Sequence, residues 1–150
     1  MIKQYCTLDY EPHVYFIIKE NCIYIGETQR SAVRRWGSHL YERGSFSKNL
    51  YKKSPYIYFL DKEIYFFSYN LSKIKTYIDK AYLKRETQYI EATIHRLFLK
   101  SIINTKYHLI SNVIRTDPRS SYNKHLSDQV AEEIFIEFLN EEKDFKSLVA

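Results

Sequence analysis

Two phenols, a guanidinium, an imidazole and a carboxylate in this chain are residue types that suit phosphate chemistry. Tyr15 lies in Val14-Tyr15-Phe16, and Tyr24 opens Tyr24-Ile25-Gly26 nine residues later. Arg35 and His39 follow four apart; Glu91 lies far downstream, with Asn104 thirteen residues beyond it. A free phenol, with a pKa of about 10, is a poor base, but a neighbouring cation makes it useful for handling a water proton. A guanidinium fork matches the nonbridging oxygens of a phosphate. Mg2+ prefers oxygen ligands and keeps several waters, so one carboxylate plus a substrate phosphate suffices for it. Taken singly, each residue has a plainer reading. The tyrosines pack an aromatic core, Arg35 and His39 edge a solvated helix, and Glu91 pairs with His95 or Arg96.

Positioning these groups falls to a hairpin and two helices. His13 to Lys19 and Cys22 to Glu27 are rich in β-branched and aromatic residues and read as antiparallel strands. Glu20-Asn21 is the break between them, and Asn tolerates the positive φ of a tight turn. Both strands are nearly continuously apolar, as in a sheet covered on two faces. Ser31 suits an N-cap for a helix to about Arg43, with Val33, Trp36 and Leu40 as its buried stripe and Gly44 as its stop. Arg35 and His39 share one face of that helix. Arg34 is the competing register, about 100° away.

Phe46 to Lys53 reads as a short helix or a loop ended by Pro55, and Tyr56 to Leu60 as a strand or a helix tail. Glu63 to Tyr69 reads as a further strand. A helical pattern runs from about Ile74 to Lys100, with a break near Tyr82 and a core face of Leu83, Thr87, Ile90, Ile94 and Leu97. Glu91 borders that stripe, where a carboxylate is costly unless it has a purpose; Glu86 is the alternative carboxylate. Asp117-Pro118 marks a turn, and Ser127 caps a last helix burying Val130, Ile134, Phe138 and Leu139.

Composition sets the frame. The 150 residues suit one domain, and a hydrophobic share of 45% is too high for a disordered chain. Three glycines and three prolines leave no room for a long linker. The net charge of +5, from 23 basic against 18 acidic residues, fits a polyanion partner. Cys6 and Cys22 form neither a disulfide framework nor a metal cluster. The longest clean apolar run, Val14 to Ile18, is far short of the roughly 20 residues of a membrane helix. No signal segment opens the chain. A cytoplasmic, membrane-free protein is expected.

Val14-Tyr15-Phe16 followed by Tyr24-Ile25-Gly26 resembles the paired strand motifs of the GIY-YIG nuclease family. The resemblance covers about Val14 to Asn104. It implies an α+β fold, a three-stranded antiparallel sheet flanked by helices, with a catalytic core at about 12–106 and a C-terminal helical appendage at about 107–150. It also implies an endonuclease, a phosphodiester hydrolase acting on DNA with Mg2+ or Mn2+. Tyr15, supported by Tyr24, would activate the water; Arg35 would neutralise the phosphate, His39 assist and Glu91 hold the metal. Gly26, whose bare backbone lets a phosphate or a strand come close, and Asn104 would support them. Arg34, Arg43, Lys48, Lys52 and Lys53 would meet the DNA, most simply a duplex, and cutting both strands would favour a homodimer.

Two positions depart from the family pattern. His13 stands where a glycine is usual, and Glu27 where many members place a lysine or a small residue. A glutamate cannot lower a tyrosine pKa, but it can hold Arg35 or help with the cation. An inactive nucleic-acid-binding domain of the same fold is therefore the alternative. A module whose acidic last helix (Glu132, Glu133, Glu137, Glu141, Glu142) docks a partner is the third reading.

Overall fold

The runs read as strands form β1 (His13–Lys19) and β2 (Cys22–Thr28), an antiparallel hairpin. In this computed structural model the described residues are 11–29, 32–40, 44–111 and 121–149, without the side chains of 32–34, 40 and 147–149. Ser31, Arg43, Cys6, the Asp117-Pro118 turn and the side chains of Arg34, Val33 and Leu40 thus lie outside the description. The left-handed residue of the hairpin turn is Glu20 (φ 52°), not Asn21.

Helix α1 (Ala32–Leu40) comes next, then α2 (Ser45–Lys53) and a short α3 (Pro55–Phe59). Pro55 sits in the first turn of α3, where its missing N–H costs nothing, so it starts a helix rather than merely ending one. Tyr56 to Leu60 is accordingly not a strand. β3 (Ile64–Asn70) pairs antiparallel with β1. The helical pattern drawn from Ile74 is two 3-10 turns, Ser72–Thr76 and Lys80–Tyr82; the α-helix proper is α4 (Leu83–Lys100).

The sheet has four strands, not three. β4 (His108–Leu109) adds to β2 in parallel, giving the order β3-β1-β2-β4. Two residues suffice because backbone bonds outside the strand complete the join: His108 donates to the Asn21 carbonyl at 2.7 Å and Ile110 to that of Ile23 at 2.8 Å. β4 pairs only Cys22 and Ile23, so the outer edge of β2 from Tyr24 to Thr28 has no strand neighbour among the described residues.

Every residue of β1 is buried, because it is central and covered on both faces. On one face Tyr15, Ile17, Cys22 and Phe66 pack with Trp36, Phe46 and Leu50 from α1 and α2. On the other, Val14, Phe16, Ile23, Ile25 and Phe67 pack with α4 and with α5 (Lys124–Val149). Phe138 of α5 stacks on Phe16 with centroids 3.9 Å apart, so the C-terminal helix closes this half of the core.

Three expectations for α5 change. Its cap is Asn123, whose Oδ1 accepts from Leu126 N–H at 3.3 Å. Ser127 lies within the helix, fully buried, donating to Glu86 at 2.6 Å and bonded to the Tyr77 hydroxyl at 2.9 Å. The acidic face is partly turned inward: Glu142 is buried and accepts from Tyr107 at 2.6 Å, Glu141 accepts from Tyr69, and Glu133 pairs with Lys73. Glu132, Glu133 and Glu137 remain exposed on the helix proposed as a docking surface.

Glu86, 0% exposed, ties α4 to the start of α5, accepting from Ser121, from the Tyr122 N–H at 3.2 Å and from Ser127. Removing the acceptor strands buried donors, at about 2–4 kcal/mol. Glu86→Ala is therefore expected to lower the unfolding free energy by that much in urea titration. A change under about 0.5 kcal/mol would contradict this role.

Candidate active site

Strand register starts the site. Tyr15 faces Gly26 across the hairpin and Tyr24 faces Ile17, so both phenols lie on the face under α1 and α2. Their rings stack with centroids 6.4 Å apart and planes 10° off parallel. The Tyr15 ring lies directly over Gly26: a Cβ there would stand 2.5 Å from Cζ, 2.8 Å from Cε2 and against the hydroxyl oxygen. Gly26 thus makes room for Tyr15 itself, not for a phosphate or another strand.

Helix α1 brings His39 and Arg35 to the Tyr15 hydroxyl. His39 Nε2 lies 2.6 Å from it and Arg35 Nε donates to it at 3.3 Å. The other ring nitrogen of His39 settles its tautomer. Nδ1 accepts the Phe46 N–H of α2 at 3.1 Å, so the single proton of the neutral ring is on Nε2 and is donated to Tyr15. His39 is 1% exposed, and burial, reinforced by the Arg35 charge, lowers its pKa to about 4. It is thus a neutral N–H donor and cannot take a proton from Tyr15 in this state. The Phe46 contact needs close approach of α1 and α2, which Gly44 permits. Gly44 precedes α2 as its N-cap, and a Cβ there would lie 2.8 Å from His39 Cα.

The Tyr15 oxygen accepts from two N–H groups, which leaves its own proton to point elsewhere. Burial, with the neighbouring Tyr24 adding to it, raises the Tyr15 pKa; the bond from Arg35 works the other way. Tyr24 is raised chiefly by burial and next by the charge of Glu91.

Two carboxylates complete the cluster. Glu91 feels the charges of Glu27 and Arg35, Glu27 feels those of Lys84 and Arg35, and the Glu91 charge helps to raise both phenols. Burial, and then Glu27, push the Glu91 pKa up to about 8. Burial also raises Glu27, whose Oε2 is shielded from solvent without a hydrogen-bond partner. The pairing of Glu91 with His95 does not form: His95 uses Nδ1 on the Glu91 backbone carbonyl and Nε2 on Ser111. Arg96 donates to Thr93 and lies over the Tyr89 ring.

Among the described residues no group of three or more His, Cys, Asp or Glu could hold a metal ion. Two adjacent carboxylates, one with an orphaned buried oxygen, still fit a hard divalent cation that takes its remaining ligands from water and phosphate.

The outlying residues separate. Asn104 is exposed and donates to the Leu99 carbonyl at 3.3 Å, which finishes α4. Lys48 and Lys52 are exposed on α2, whereas Lys53 donates to the Ile110 carbonyl at 3.0 Å and helps fasten the end of β4. His13 lies on the Tyr15 face, donates from Nδ1 to the Glu11 carbonyl at 2.7 Å and leaves Nε2 without a partner. Sequence reasoning missed Phe46 as a site residue and read Gly44 only as a helix stop, not as the close approach of α2 to His39. Comparison of the chain with protein-family models, curated proteins and solved structures finds no match.

The raised Glu91 pKa fixes a sign. Between its unfolded value near 4.5 and about 8, the folded state holds a proton that the unfolded state has lost. Folded stability from this group is therefore full below pH 4.5 and declines as pH rises to about 8. Glu91→Gln is expected to raise the Tm of the metal-free protein by roughly 3–6 °C at pH 8.5, and hardly at all at pH 4, by scanning calorimetry. An equal shift at both pH values would contradict this. Gly26→Ala, which evicts the Tyr15 ring, is expected to cost about 1–3 kcal/mol, read by the same method.

Proposed function

We propose that this chain is a divalent-metal-dependent endonuclease that hydrolyses phosphodiester bonds in DNA, of GIY-YIG type. One observation carries the reading: a tyrosine hydroxyl that takes hydrogen bonds from an imidazole and a guanidinium is within electrostatic reach of a half-buried carboxylate, Glu91, which burial and then a second half-buried carboxylate, Glu27, push toward its protonated form. A core merely packing aromatics has no use for that arrangement.

Each residue has a role. Arg35 and His39 both donate to the Tyr15 oxygen and so stabilise its phenolate over its phenol. As phenolate, Tyr15 takes the proton of the attacking water. Tyr24 packs against Tyr15 and His39 and keeps water off their far side. The exposed part of Arg35 neutralises charge that builds on the phosphate. Glu91, with Glu27 beside it, would hold a Mg2+ or Mn2+ ion, which supplies Lewis-acid charge to the phosphate and leaving oxygen. Substrate phosphate oxygens would supply the remaining ligands, so metal affinity is expected to be weak until nucleic acid is present.

A second reading keeps the fold without turnover. Its support is that burial favours the protonated forms of both Tyr15 and Glu91. It differs in one observable, salt-sensitive DNA binding without cleavage.

The test is nicking of supercoiled plasmid with Mg2+ or Mn2+, with and without chelator. Cleavage is expected to rise with pH through about pH 8, as Glu91 loses its proton, and to keep rising beyond it as the phenolate of Tyr15 becomes more populated. Tyr15→Phe, Arg35→Ala and Glu91→Gln are each expected to cut at least about 100-fold more slowly. Variants as fast as the parent overturn the assignment; binding without cutting by the parent selects the second reading.

A further inference from the structure

Helices α2 and α3 carry a surface that the catalytic cluster does not use. Tyr51, Tyr56 and Phe59 are 56%, 75% and 73% exposed, although large aromatic side chains are ordinarily covered. They are not scattered. Tyr51 meets Phe59 edge to face at 6.0 Å, and both meet half-buried Tyr58, at 5.3 and 5.0 Å. Tyr58 is itself anchored, its carbonyl accepting from Lys19 Nζ at 3.1 Å. Tyr56 and Phe59 stand one helical turn apart on α3, on one side of it. The exposure of Tyr56 and Phe59 leaves ring surface open to a ligand.

Within α2 and α3 the charge has one sign. From Ser45 to Phe59 there are three lysines and no acidic residue. Lys48 and Lys52 are exposed, and Lys53 is bound to the Ile110 carbonyl. The next acids in the chain are Asp61 and Glu63, beyond α3, and Glu63 accepts from Tyr65.

Open aromatic faces interleaved with lysines match one ligand chemistry, bases that are free to stack joined by phosphates. A protein partner would need an apolar and acidic counterpart; a stacked duplex hides its base faces. From this we propose that α2 and α3 form a platform for single-stranded nucleic acid, with Tyr56 and Phe59 stacking unpaired bases and Lys48 and Lys52 on the adjoining phosphates. The platform stands whether or not the chain cleaves. If it does cleave, its substrates include an unpaired or distorted segment rather than plain duplex alone. α2 links the two regions, since its Phe46 amide fixes the His39 tautomer.

The test is fluorescence anisotropy with the whole chain, labelled oligo-dT and a duplex of equal length, in chelator so that no cutting intervenes. The parent is expected to bind the single strand at least about 10-fold more tightly than the duplex. Tyr56→Ala and Phe59→Ala are each expected to weaken single-strand binding about 5-fold or more. Tyr56→Leu and Phe59→Leu should lose as much, since stacking needs a ring and not just an apolar surface. Lys52→Gln is expected to reduce the slope of log K against log salt by about 0.7. These residues are exposed, so the variants keep the fold. Equal affinity for both probes, unchanged binding by the alanine variants, or rescue by leucine would each overturn the proposal. So would light scattering that shows the patch buried in a dimer which binds neither probe. Plasmid nicking is read separately, so loss of the nuclease reading leaves this result standing.

Discussion

The Tyr15 hydroxyl is the point on which the arrangement turns. Its ring occupies the space that a side chain at residue 26 would fill, and its oxygen receives N–H groups from His39 and Arg35. Three elements thereby become interdependent. β2 must present a glycine, α1 must lie close enough for two residues one turn apart to converge, and α2 must begin where its first amides reach His39. Gly44 allows that last approach. A neutral imidazole with a fixed proton follows from the geometry, because both nitrogens are committed, one to accepting and one to donating.

The same region stores electrostatic cost. Two carboxylates and a guanidinium share a partly buried corner at the outer edge of β2, which has no strand neighbour there among the described residues. Arg35 offsets some of the repulsion, and burial outweighs it. The rest of the molecule shows how this chain treats acids it uses structurally. Glu86 and Glu142 are buried too, but each accepts hydrogen bonds from hydroxyl or amide donors. Glu27 and Glu91 stand apart in leaving oxygen unsatisfied or charge unfavoured. Sites that trade stability for chemistry have this character.

Much of the fold could be read in advance where local pattern and tertiary demand agree. The hairpin and β3 were legible because β-branched and aromatic runs admit few other outcomes, and α4 because Thr87, Ile90 and Ile94 recur at helical spacing and are buried. Tyr56 to Leu60 was not legible, since aromatic runs suit strand or helix and only Pro55 at the helix start decides between them. β4 could not be foreseen from two residues whose strand character comes wholly from β2. Tyr15, Tyr24, Arg35 and His39 lie together, and Glu91 acts on both phenols electrostatically. What spacing could not give was the direction of the His39 proton, which depends on a backbone amide of another helix. Asn104, singled out by the resemblance, fixes a backbone carbonyl, that of Leu99 at the end of α4.

The most direct test of this account is the protonation of His39, read by nitrogen-15 NMR of the imidazole at pH 6. The arrangement requires a neutral ring with the proton on Nε2 and a bare, accepting Nδ1, unchanged until the pH falls toward 4. A ring that is doubly protonated at pH 6, or one carrying its proton on Nδ1, would mean that Tyr15 is not held by two donors, and the chemistry derived from it would not stand.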